Sequence, residues 1–280
     1  MKKIIAIILV AIMVLALAAC GTPAKPAATE APKAPESAAP SADAAKPAAV
    51  KTIVEGELHM ATNAAFPPYE MIKDGGGFEG IDVEIATLIA EKLGLKLVVD
   101  DMDFTSVVPA VQTGKSDIAM AGLTITETRK ENIDFTDSYA TGVQVIIVKD
   151  GSDIKTVDDL ANAKMIGTQA GTTGYLYCSA SPEDGGYGED KVTAFDNGAI
   201  AIQALLDGKV DCVVIDNEPA KAFVAANKGI SILETEFTVE DYAIGVSKQN
   251  TELKDAINEI LKELIADGTV KKIVDKYVTG

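Results

Sequence analysis

Side chains that bind metals and nucleic acids are scarce in this chain. Its 280 residues include one histidine, three cysteines and no tryptophan. There is no Cys-x-x-Cys, no His-Glu-x-x-His and no second histidine, so neither a transition-metal site nor a metal cofactor is expected. The formal net charge of −17 leaves no basic footprint for nucleic acid or for an anionic membrane surface. Arginine is as scarce as histidine: of 25 cationic residues Arg129 is the one arginine, and the rest are lysine. That scarcity draws attention to Arg129, because a planar guanidinium grips a carboxylate with two parallel hydrogen bonds and an ammonium does not. What the chain holds in quantity is apolar side chains, 48% of the total, enough for one large or two modest cores.

The amino terminus reads as a leader. Met1-Lys2-Lys3 precedes sixteen uncharged residues, Ile4 to Ala19, in the pattern of a secretory signal and short for a membrane span. The run ends in Leu17-Ala18-Ala19-Cys20, which resembles the lipobox of bacterial lipoproteins. That resemblance implies cleavage after residue 19, lipidation of Cys20, and an extracytoplasmic body held to the membrane through its lipid anchor only. Residues 21–50 contain twelve Ala and six Pro, a composition that buries no core and that proline keeps extended. Residues 1–19 are therefore expected to be a signal peptide and residues 20–52 a lipidated tether.

From Leu58 the hydrophobic periodicity switches repeatedly between strand and helix. Leu58 to Asn63 reads as a strand, and Ala64 to Tyr69 as a breaker-rich stretch. Ile81, Ile85, Leu88, Ile89 and Leu93 fall at helical spacing, with Gly94 as the stop, and Leu95 to Val99 reads as a second strand. Strand, helix, strand over this length is a parallel crossover and predicts an α/β fold. A pattern then recurs. Ala110-Val-Gln-Thr-Gly-Lys-Ser-Asp117, leading into the strand that ends at Gly122, matches Ala204-Leu-Leu-Asp-Gly-Lys-Val-Asp211, leading into the strand that ends at Asp216. Two such units predict two similar lobes. Further strands are expected at Val143 to Val148, Lys164 to Gln169 and Tyr242 to Val246, and helices near Glu252 to Ala266 and Val270 to Tyr277.

Ligands of open α/β sheets bind beyond the carboxyl ends of the strands. The strand ends here release Asn63, then Gly122 with Thr124 and Arg129, then Gly171 with Thr172 and Thr173, and finally Asp216. Thr126 is placed to cap the turn carrying Arg129. Gly171-Thr-Thr-Gly174 puts backbone N–H groups and hydroxyls at a helix start, where anions are favoured, but no Gly-Lys-Ser/Thr follows to make a phosphate loop. A forked cation with amide donors on one side and an acid on the other is complementary to a zwitterion, the α-groups of an amino acid. Phe66, Tyr69 and Phe104 would supply apolar walls. Taken singly, Asp216 reads equally well as a helix N-cap before Glu218-Pro219.

Ala61-Thr-Asn-Ala-Ala-Phe-Pro-Pro-Tyr-Glu70, Gly80-Ile-Asp-Val83, Gly122-Leu-Thr-Ile-Thr-x-x-Arg129, Asp134-Phe-Thr-Asp-Ser-Tyr139, Gly171-Thr-Thr-Gly174 and Asp211 to Asp216 occur in one order. As a set they resemble the polar amino-acid-binding proteins of ABC importers, the extracellular solute-binding proteins of family 3. The resemblance implies a two-lobed periplasmic-binding-protein fold of type II. Lobe 1 would be 53–140 plus 243–280 and lobe 2 143–238, joined by two hinge-crossing strands. It further implies that Arg129, Thr124 and Thr172 bind the ligand carboxylate and that Asp216 and the Gly122 carbonyl bind its ammonium. Phe66 and Phe104 would flank the ligand, and Asn63 and Gln169 would face its side chain. The partners implied are a free amino acid and a permease with its ATPase.

Several relatives carry an acid where this chain has Asn63. With Arg129 and Asp216 matched to the α-groups, no further cation lies in the motifs, and a neutral amino acid is expected. If the ligand were lysine or arginine instead, Glu70 and Asp103 would be the acids to consider. Two other functions share the scaffold. One is a cyclohexadienyl dehydratase-like enzyme, which needs an acid with a raised pKa in the cleft, and none is evident in the sequence. The other is a subunit that presents its ligand to a receptor. Cys178 and Cys212 read either as an extracellular disulfide or as two small buried residues.

Overall fold

The computed structural model describes residues 50–278 with the exception of Thr235. The expected signal segment, Cys20 and the tether up to residue 49 lie outside the described residues. The apolar stretch after Gly56 forms β1 (Glu57–Thr62), and the breaker-rich stretch that follows is folded into a small antiparallel sheet of β2 (Ala65–Phe66), β3 (Glu70–Ile72) and β4 (Phe78–Glu79). Helix α1 (Ile81–Leu93) has the limits that the spacing predicts. Ile81, Ile85 and Ile89 are buried along one stripe, and Gly94, at φ 71°, closes the helix in the left-handed conformation that glycine adopts without strain.

The chain continues through β5 (Lys96–Asp101), α2 (Phe104–Gln112), β6 (Ile118–Ala119), α3 (Glu127–Asn132) and the long β7 (Ile133–Lys149). After a 3-10 turn at Val157–Asn162 come β8 (Ile166–Gln169), α4 (Thr173–Ser179), β9 (Val192–Phe195), α5 (Gly198–Leu206), β10 (Cys212–Asp216), α6 (Asn217–Ala226) and β11 (Ile230–Ile232). β12 (Thr238–Ser247), α7 (Thr251–Ala266) and α8 (Thr269–Tyr277) complete the described chain. Helices α7 and α8 pack on α1, so the carboxyl-terminal segment returns to the amino-terminal half.

The main sheet runs β5-β1-β6-β12-β7-β10-β8-β9, with β11 pairing the far end of β7. Its flanks are parallel, β5-β1-β6 on one side and β10-β8-β9 on the other, as crossover units require. Between them β7 and β12 pair antiparallel, with register shifts around Tyr242 to Gly245 that twist the pair where it passes from one half to the other. β7 is much longer than the predicted strand at Val143 to Val148. Its early part, from Ile133, carries polar residues at Asp134, Thr136, Asp137 and Ser138 and shows no apolar run to mark a strand, yet it is zipped to β12. β6 is shorter than predicted, because only Ile118 and Ala119 have backbone partners on both β1 and β12.

The repeated Gly-Lys-x-Asp unit is one turn built twice. Gly114 and Gly208 take φ 73° and 74°. Lys115 N–H donates to the Ala110 carbonyl at 2.8 Å, and Lys209 N–H to that of Ala204 at 2.9 Å. In each copy the aspartate ties down a neighbouring segment of backbone. Asp117 accepts from the N–H groups of Ile53 (2.8 Å) and His59 (2.9 Å), and Asp211 accepts from those of Lys164 (2.6 Å) and Met165 (3.1 Å). Replacing Asp211 by Ala removes two charge-assisted bonds at the entry to β8. It is expected to cost about 1–3 kcal/mol, read as a lowered midpoint in urea unfolding, and an unchanged midpoint would refute this role for the turn.

Candidate ligand-binding cleft

The strand ends converge on one narrow, largely enclosed cavity. It is lined by Asn63, Phe66, Phe104, Gly122, Thr124, Arg129, Gln169, Thr172, Thr173 and Asp216, together with Glu70 and Ala121. The first ten are candidates read from the sequence; Tyr69, read as a third apolar wall, lies outside this lining and packs its ring on Phe66 and Tyr242.

At one end lies Arg129. Thr126 caps α3 by accepting the Arg129 N–H at 3.2 Å, which fixes the helix start and sends the guanidinium back under the strand end. There Nη1 donates to the Thr124 carbonyl (2.7 Å) and Nη2 to the Gly171 carbonyl (3.2 Å), and the cation sits 5.4 Å from the Phe104 ring centre. Burial brings its pKa down to about 10, while the nearby Glu240 and Asp216 oppose that shift, so it is charged at neutral pH. The Thr172 hydroxyl is engaged within its own segment, donating to the Gln169 carbonyl (2.8 Å) and accepting from Tyr175 N–H (3.3 Å). A ligand carboxylate would therefore meet backbone N–H groups here more readily than this hydroxyl.

Asp216 occupies the other end. It holds the N-cap position of α6, as the sequence allows, but its side chain makes no capping hydrogen bond. Its oxygens instead accept from Gln144 Nε2 at 2.7 Å and from the Tyr242 hydroxyl. Burial, reinforced by the neighbouring Glu240 carboxylate, pushes the Asp216 carboxyl up to about 8. Gly122, at φ 52°, turns the chain beside it, with its N–H held by Asp82 at 2.9 Å. A Cβ at this position would come within 2.7 Å of the Phe66 ring, so only glycine fits both the backbone and the cavity wall.

The third region is closed by Asn63 and Gln169, which bond to one another, Gln169 Nε2 donating to Asn63 Oδ1 at 3.0 Å. Beside them stands Glu70, fully buried, its carboxyl paired with that of Asp82 and with no other hydrogen-bond partner. Burial, and next the Asp82 carboxyl beside it, hold Glu70 well above the usual carboxylate range. Asp82 is itself raised to about 6 by burial, with the Gly122 N–H and the Tyr139 hydroxyl (2.8 Å) acting to lower it. The sequence reading finds no acid with a raised pKa in the cleft. The structure corrects this with two, Glu70 and Asp216, because that property comes from burial and from neighbours distant in the chain.

Sequence reasoning also misses the floor of the cleft. Gln144 on β7 and Glu240 and Tyr242 on β12 are all buried, and they bond to Asp216, Thr124 and Thr173. The one signal available was a polar residue at alternate positions of each crossing strand, Gln144 between Val143 and Val145, and Glu240 two residues before Tyr242. Cys178 and Cys212 are free thiols buried in one apolar cluster of the second half.

Comparison with known proteins agrees with this architecture. The sequence profile of the bacterial extracellular solute-binding proteins, family 3, matches residues 58–280. A probable histidine-binding protein of Neisseria gonorrhoeae is 33% identical over 84% of this chain and 87% of its own length. The ABC transporter glutamine-binding protein GlnH of Bacillus subtilis is 33% identical over 72% of this chain and 74% of its own. Among solved structures, an ancestral arginine-binding protein bound to arginine superimposes with a TM-score of 0.73 at 41% identity, covering 80% of this chain and 99% of that one. The chain belongs to the bacterial extracellular solute-binding proteins of family 3, and its fold is the two-lobed type II arrangement of that class.

If Arg129 grips a carboxylate with its fork, Arg129→Lys keeps the charge and loses the geometry. Affinity for the amino acid that most stabilises the protein in a thermal-shift screen is expected to fall at least tenfold, on the order of 2 kcal/mol. Calorimetry that finds the same affinity in the folded variant removes Arg129 from this role.

Proposed function

We propose that this protein captures one free amino acid between Arg129 and Asp216 and delivers it to the permease and ATPase of an ABC importer. The observation that carries the reading is a buried cation and a buried acid lining one small cavity, matched to the charges of a zwitterion. The carboxylate meets Arg129, Thr124 and the Gly171-Thr172 backbone. The ammonium meets Asp216 and the Gly122 carbonyl, and Phe66 and Phe104 flank the ligand. Lobes of 53–140 with 243–280, and of 143–238, close around it, because Arg129 and Asp216 belong to different lobes. The body is anchored outside the cytoplasmic membrane through lipid on Cys20. Cys20→Ser is expected to move the protein from the membrane fraction to the medium or periplasm, and retention on the membrane would rule out the anchor. The relatives described above are binding proteins and this protein is not an enzyme, although Glu70 and Asp216 make a product assay on arogenate or prephenate a fair check.

For the ligand's side chain the reading is a neutral, hydrogen-bonding group such as an amide. Asn63 and Gln169 are neutral, and burial and the Asp82 carboxyl raise the Glu70 carboxyl well above the usual carboxylate range, which disfavours its charged form. A cationic side chain is the second reading, favoured by the buried Glu70 carboxyl in the cavity lining and by the arginine-bound relative. The two differ in protons. In the empty protein Asp216 has a pKa of about 8, and in the complex it faces an ammonium and is ionised, so binding releases a proton below that pH. Affinity is therefore expected to rise with pH between about pH 6 and about pH 8 and then level off. A neutral ligand draws its proton from Asp216 alone, whereas a guanidinium also ionises Glu70. Calorimetry in buffers of different ionisation enthalpy counts these protons. A flat pH profile removes the Asp216–ammonium pairing, and arginine binding above glutamine with the larger proton release removes the neutral reading.

A further inference from the structure

Glu240 lies outside the cavity lining, yet it touches both sides of the cleft. It sits on β12 opposite Gly142 of β7, where the two crossing strands pair, and it is 5% exposed. One of its oxygens, Oε2, accepts three hydrogen bonds: from the Thr124 hydroxyl at 2.9 Å, from the Thr173 hydroxyl at 2.8 Å and from Gln144 Nε2 at 3.3 Å. Thr124 follows β6, in the half that carries Arg129, and Thr173 opens α4, in the half that carries Asp216. The other oxygen, Oε1, is buried without a partner. A buried carboxylate oxygen drawing two hydroxyls from separate halves of the molecule is a strong link, and it forms only when those halves are together.

We propose that Glu240 is a positioning residue for amino-acid capture, a carboxylate on the crossing strand that draws the Thr124 and Thr173 hydroxyls together and so holds the cleft shut. The proposal rests on the reading of the cleft as an amino-acid site. Glu240 itself lies outside the cavity lining, so the link favours the closed form whether the site is empty or filled, and it slows escape of a bound ligand by slowing opening. The crossing strands reinforce the link. Gly142 is packed so closely on the Tyr242 ring that a Cβ there would overlap the phenol, and the Tyr242 hydroxyl holds Asp216. Hinge, link and ammonium partner are thus adjacent along one face of two strands.

The test compares the full chain with its Glu240→Gln and Thr173→Val variants and with the double variant. Small-angle scattering without ligand is expected to show a larger radius of gyration for Glu240→Gln, and saturating glutamine or arginine, whichever binds, is expected to return it to the wild-type value. Stopped-flow release of that amino acid is expected to quicken roughly tenfold, with the association rate changing less. A general loss of structure would not produce that split. Thr173→Val is expected to give the same direction of change while leaving the carboxylate in place, and the double variant to add little to Glu240→Gln, because both remove one link. Unchanged dimensions with unchanged release, or additive effects in the double variant, would overturn the proposal. If neither amino acid binds the wild-type protein, the assignment of the cleft fails instead, and the ligand-free scattering still decides whether Glu240 sets closure.

Discussion

Three titratable side chains, Arg129, Asp216 and Glu240, are buried close together around the cleft, one base for two acids. A buried charge is tolerated only when it is paired or hydrogen-bonded, and most of the polar architecture serves that requirement. Arg129 is neutralised by carbonyl oxygens and by the neighbouring acids, Glu240 by two hydroxyls and an amide, and Asp216 by an amide, a phenol and a pKa raised to about 8. The balance is incomplete on the acid side. A zwitterion adds an ammonium where Asp216 lacks a cation and a carboxylate where Arg129 has only neutral acceptors, so it completes a charge arrangement that the protein alone leaves short.

The crossing strands make that arrangement possible. Gln144, Glu240 and Tyr242 project from neighbouring positions of β7 and β12, the two strands that both halves share, so the same side chains that neutralise the cleft also lie where any relative movement of the halves must pass. Away from the crossing strands the two halves are built alike, each with a parallel sheet, a similar helix-to-strand turn and an aspartate that ties the neighbouring backbone.

Much of the cleft was legible residue by residue. Arg129 stood out through the rarity of arginine, Thr126 as its cap through local spacing, and the Gly-Lys-x-Asp repeat through a pattern short enough to lie within one stretch of chain. The strand ends at Asn63, Gly122, Gln169 and Asp216 followed from where apolar runs stop, and the fold places them around one cavity. Asp216 was ambiguous between cap and ligand, and only the fold shows that its side chain bonds to Gln144 and Tyr242 and makes no capping hydrogen bond. Glu70 looked like one acid among 42. Its importance comes from complete burial and from Asp82, which is reached through folding and not through spacing.

The sequence by itself determined the α/β class, the limits of α1, the repeated turn, and the residue types offered at the strand ends, because each of these depends on contacts within a few residues or on a period of 2 or 3.6. The tertiary structure alone decided that the polar start of β7 is strand, that β7 and β12 share a floor of Gln144, Glu240 and Tyr242, and that Glu70 and Asp216 carry raised pKa values. Those features come from groups brought together across the sheet, such as Thr124 and Glu240, 116 residues apart. Desolvation and pairing at such separations are properties of the packed molecule, and no local pattern encodes them.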